Sequence, residues 1–134
     1  MLALLTASGG AAEVWVLAPP WAPAGGSVPR LLARVEETLR RDSIAMSPDG
    51  SLLAITSNEP SLRTGTVSLD QSLIVYDTTT GAVVAELSDP AGSLSDPHWS
   101  PDGGKELMAF SDASGFARPF LWSPTDPASG PRPL

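Results

Sequence analysis

The chain has 134 residues and a formal net charge of −7, with 42% hydrophobic and 17% charged residues. This is the length of one ordinary domain, too apolar for a disordered chain. The thinly spread negative charge argues against a nucleic-acid surface and against binding to anionic membrane, and the absence of cysteine, with a single histidine, leaves no disulfide, thiolate site or histidine-rich metal centre.

Fourteen prolines and twelve glycines fall between short apolar runs, the punctuation of strands and turns. No apolar stretch approaches the roughly 20 residues of a membrane span. Met1-Leu2-Ala3-Leu4-Leu5 has no basic residue before it and is too short for a secretory core. With no signal visible, the cytoplasm is the default compartment.

In chain order, the first strand is expected at Leu2 to Thr6, closed by the small residues Ala7 to Gly10. Val14 to Leu17 reads as its partner, and a Pro-rich turn over Ala18 to Gly26 leads to a strand at Val28 to Leu32. Ala33 to Asp42 has Glu36/Arg40 and Glu37/Arg41 at helical spacing, which fits a short charged helix or a solvated connector. We expect the connector.

Ile44-Ala45-Met46 then enters Ser47-Pro48-Asp49-Gly50. Proline pre-sets φ, aspartate bonds locally to the backbone and glycine accepts φ > 0, so the chain reverses within about four residues. Leu52 to Thr56 leaves the turn, Leu73 to Tyr76 follows a polar stretch, and Val83 to Leu87 follows Asp77-Thr78-Thr79-Thr80-Gly81. Four antiparallel strands in sequence order make a meander.

The order then repeats. Pro97-His98-Trp99 enters Ser100-Pro101-Asp102-Gly103, Leu107 to Phe110 leaves it, Asp112 to Gly115 turns, and Phe120-Leu121-Trp122 is the third strand before a short stub. Leu2 to Gly10 aligns with Leu107 to Gly115, so the first unit lacks the strand and turn that should precede Leu2. A period of roughly 50 residues means an array of small β units.

Trp99-Ser100-Pro101-Asp102-Gly103 followed by Leu107-Met108-Ala109-Phe110 resembles the WD-repeat-like β-propeller module of bacterial TolB-type proteins. The N-terminal propellers of the prolyl oligopeptidase family carry similar units, and Ser111 to Trp122 is most similar to those. The resemblance implies an all-β fold, a partial β-propeller of about two to three four-stranded antiparallel blades. Blade 1 covers about 1–33 without its first strand, blade 2 about 43–88 and blade 3 about 96–134. Ala18 stands where Asp77 stands in the second unit, a departure from the pattern. Propellers close with about four to eight blades, so the chain is expected to be a piece of a longer array with adhesive open faces.

No Gly-x-Ser-x-Gly elbow occurs, so catalysis is not expected. His98 lacks an accompanying nucleophile motif and reads as structural or exposed. Asp49 and Asp102 might suggest a carboxylate pair, but their repeated context makes them turn formers with Ser47, Pro48, Gly50, Ser100, Pro101 and Gly103. Trp15, Tyr76 and Trp122 fall in third strands, where packing between blades is expected over ligand stacking. The Asn58 to Ser72 stretch, with Glu59, Arg63 and Asp70, is the best candidate binding loop. No metal or cofactor is expected. The expected function is a non-catalytic scaffold that binds protein or peptide and self-associates through open faces. The alternative is a fragment of the substrate-gating propeller of a prolyl oligopeptidase family peptidase.

Overall fold

The computed structural model describes residues 2–8, 11–18, 28–35, 43–57, 71–89, 91–103, 105–126, 128 and 130–134. Their strands form three antiparallel sheets, and none of them is α-helical. The first sheet contains β1 (Leu2–Ser8), β2 (Ala11–Leu17) and β3 (Arg30–Val35) in that order. The central sheet is β4 (Ile44–Met46), β5 (Leu52–Ser57), β6 (Ser72–Asp77) and β7 (Val83–Leu87). The third runs β8 (Leu94–Trp99), β9 (Leu107–Ser111), β10 (Arg118–Trp122) and β11 (Arg132–Pro133).

Each sheet is a meander: strands consecutive in the chain pair antiparallel, some joined by turns of a few residues and others by longer connections. The β1 hairpin closes through Ser8 opposite Ala11. In the central sheet Met46 lies opposite Leu53, and Leu53 opposite Tyr76. The third sheet repeats this register, with Trp99 opposite Leu107 and Leu107 opposite Trp122.

β5 shows why the sheets stack. All six of its residues are buried, a pattern expected of a strand covered on both faces. Side chains alternate along a strand, so Leu53 and Ile55 share one face and Leu52 and Ala54 the other. Leu53 and Ile55 pack with Ala12 and Val14 of the first sheet, joined by Ala3 and Leu5. Leu52 and Ala54, with Leu73 and Val75, pack with Leu94, Leu107, Ala109, Phe120 and Trp122 of the third. The core is therefore two apolar layers, one on each side of the central sheet.

Polar contacts bind the layers at their margins. The indole N–H of Trp99 donates to the carbonyl of Ala45, 2.8 Å away, joining β8 to β4. Leu94 N–H donates to Gln71 O at 3.0 Å. Arg30 of β3 donates to the carbonyls of Thr78 and Thr79 in the β6–β7 turn, which links the first sheet to the central one.

Two local expectations differ from the structure. The strand expected at Val28 to Leu32 lies at Arg30–Val35, and Val28 is exposed. A bulge shifts the register: Val14 opposes Ala33 but Trp15 opposes Leu31, which leaves Leu32 unpaired and carries the strand further along. Ala33, Arg34 and Val35 are thus strand, neither helix nor connector; the Glu36/Arg40 and Glu37/Arg41 pairs lie outside the described residues.

Candidate functional site

The two Ser-Pro-Asp-Gly turns share their hydrogen bonds. Gly50 N–H donates to Ser47 O at 2.9 Å, and Gly103 N–H to Ser100 O at 3.4 Å. Ser47 N–H donates to Leu52 O, and Ser100 N–H to Glu106 O. Each serine hydroxyl donates to its aspartate: Ser47 to Asp49 at 2.8 Å and Ser100 to Asp102 at 2.6 Å. Gly50 and Gly103 have φ of 77 and 79, where a side chain would be strained.

Asp49 is held by groups of its own turn and by Lys105. One oxygen accepts from the Ser51 N–H at 3.0 Å, the Ser51 hydroxyl at 2.7 Å and the Ser47 hydroxyl. Its other oxygen lies 3.5 Å from the Lys105 ammonium, which follows the second turn. These donors, the Ser51 backbone first, hold the carboxyl well below the ordinary carboxylate range. Asp77 is likewise lowered, by the N–H groups of Thr80 and Thr79. Both acids remain ionised near neutrality, so neither can supply a proton there.

Thr78 locks one turn to the other. It is fully buried, its hydroxyl donates to Gly50 O at 2.5 Å, and its N–H donates to Ser51 O at 3.0 Å. The Ser47 and Asp77 turns thus form one hydrogen-bonded corner of the central sheet.

His98 Nε2 lies 3.0 Å from an Asp96 carboxylate oxygen, and both side chains are about half exposed. Asp96 has φ 54 at the bulge between Ser95 and His98 in β8. Trp122 is buried between the central and third sheets, and Tyr76 packs against the layer between the central and first sheets. Trp15 lies on the other side of the first sheet, half-buried. These three aromatics form no common patch. Glu59, Arg63 and Asp70 lie outside the described residues.

Sequence reasoning missed two surfaces. A groove of about 370 Å³ separates β7 from β10 and β11, floored by Leu87, Leu94 and Phe120 and rimmed by Asp89 and Arg118. The Asp89 carboxylate accepts from the Ser111 hydroxyl at 2.9 Å. Its walls come from separate units, and only the prolines near the C-terminus could have hinted at it. The second is an open groove of about 410 Å³ on the outer side of the third sheet, bordered by His98, Trp99, Met108 and Leu121.

The outer faces of the stack are themselves apolar. Leu2, Leu4 and Leu31 are 47%, 37% and 43% exposed on one side of the first sheet. Met108, Phe110 and Leu121 are half-buried on the third sheet. Comparison of the chain with protein-family models and with curated proteins gives no match.

Proposed function

We propose that this chain is a segment of a β-propeller and acts as a non-catalytic interaction scaffold. The observation that carries this reading is the central sheet: β5 is buried on both faces by flanking sheets, while the outward face of the first sheet keeps leucines exposed and that of the third carries half-buried apolar side chains. Small meanders that stack through both faces are the units of radial β arrays. Exposed apolar faces of this kind mark interaction surfaces.

The bound state of the turn acids supports a structural role for the repeated motif. Asp49 spends its lone pairs on its own turn, and its low pKa suits a fixed anion rather than an acid catalyst. The partner class is protein or peptide, because extended apolar faces recognise area rather than a small polar ligand.

The test is assay of the purified chain on fluorogenic peptides, including ones cleaved after proline, together with binding of an apolar fluorescent dye. The reading predicts no hydrolysis and, at a dilution where copies are separate, dye binding that weakens when Leu4 and Met108 are both changed to lysine. Hydrolysis that tracks the chain through purification would overturn it.

A further inference from the structure

We propose that a second copy of this chain docks head to tail: the outer face of one copy's first sheet packs on the outer face of the other's third sheet, and two copies close a ring. This rests on the scaffold reading and names its partner.

The sheets follow one another in a single sense. The central sheet turns Leu53 and Ile55 back toward the first sheet, and Leu52 and Ala54 forward toward the third. The third sheet turns Leu107 and Ala109 back toward the central one. Leu107 lies between Trp99 and Trp122 as Leu53 lies between Met46 and Tyr76, so the two backward faces carry equivalent positions.

The outer faces complete the series. Ala3 and Leu5 of the first sheet face forward, into the layer with Leu53 and Ile55. Strand alternation then leaves Leu2 and Leu4 on the backward face, opposite Leu17 and Trp15, with Leu31 beside Trp15. On the third sheet the same alternation puts Met108 and Phe110 forward, opposite Leu121 and Pro119. Neither set belongs to a core layer among the described residues.

One free backward face and one free forward face are the two halves of an interface that the stack already forms twice. The groove beside Met108 and Leu121 gives the forward face room for incoming side chains. A head-to-tail contact either closes or grows without limit. The described residues of each copy form three sheets. Two copies therefore bring six, within the roughly four to eight that close a radial array, whereas one copy or three copies fall outside it.

The chain has no cysteine, so single thiols can be placed at will. Leu4→Cys and Met108→Cys label the two faces at positions equivalent to Ile55 and Ala54. The two purified variants, mixed and oxidised with oxidised glutathione, should give a mixed disulfide dimer about tenfold in excess over either homodimer. Sedimentation equilibrium of the unmodified chain should show a two-copy species. Leu4→Lys, and separately Met108→Lys, should each convert it to a monomer with an unchanged far-UV β spectrum.

Homodimers that match the mixed dimer would overturn the polarity. A monomer at all concentrations, or open-ended growth, would overturn the ring. Either result, without peptide hydrolysis, leaves the scaffold reading standing; hydrolysis removes that reading whatever the measured mass.

Discussion

The Trp99 indole N–H meets the Ala45 carbonyl at 2.8 Å, so the strand that enters the second Ser-Pro-Asp-Gly turn is bonded to the strand that enters the first. The bond joins equivalent strands of neighbouring sheets across the apolar layer. Trp99→Phe keeps an aromatic ring but removes the donor and part of the indole's bulk. It should cost about 1 kcal/mol, read as a lower urea midpoint with an unchanged slope. An unchanged midpoint would mean that the bond adds nothing to the join.

Leu53 is fully buried at the centre of the layer between the first and central sheets. Leu53→Ala should destabilise the chain by about 2–5 kcal/mol, since the β backbone on every side limits collapse into the cavity. Denaturant unfolding measures this. A loss below about 1 kcal/mol would mean that the site is solvated, contrary to the stacking.

Asp49 and Asp77 are both held below their ordinary value by turn donors. A carboxylate with a folded pKa below its unfolded value stabilises the fold above the unfolded value of about 3.9. That contribution is lost as pH falls through the lowered folded value. Asp49→Asn should therefore be less stable than the parent chain at pH 7, and the gap should narrow below about pH 4. Unfolding midpoints at a series of pH values check this; a gap independent of pH would contradict it.

Gly92 faces the β9–β10 turn at close range. A Cβ there would lie 2.4 Å from an Asp112 carboxylate oxygen and 2.7 Å from the Ala113 nitrogen. The Asp112 side chain accepts from Ser93 N–H at 2.7 Å, so it cannot swing aside without losing that bond. Gly92→Ala should cost about 1–3 kcal/mol. Gly130→Ala, with open space around it, should be near neutral in the same thermal or urea assay.

The strand order was legible in the sequence because turn chemistry marks it. Ser47 to Gly50 and Ser100 to Gly103 each need serine, proline, aspartate and glycine in fixed places, and the apolar runs on either side then have to pair. Leu52 to Thr56 read as a strand leaving the turn, but that both its faces are covered shows only once the sheets are stacked. The bulge at Val14 and Trp15 left no such mark, because it is set by how β3 lies against β2 rather than by a turn residue. The polar joins were equally hidden: Arg30 with Thr78 and Thr79, and Trp99 with Ala45, link residues about 50 positions apart. The groove between β7 and β10 arises only once two sheets lie side by side.

The stacking order is the central claim, and methyl-to-methyl nuclear Overhauser contacts test it most directly. With isoleucine, leucine and valine methyls labelled, Ile55 should contact Val14 and Leu5, while Val75 should contact Leu94 and Leu107. Those two sets should share no cross-peak, because the central sheet lies between them. A contact from Ile55 to Leu107, or from Val75 to Val14, would place both on one face and contradict the arrangement.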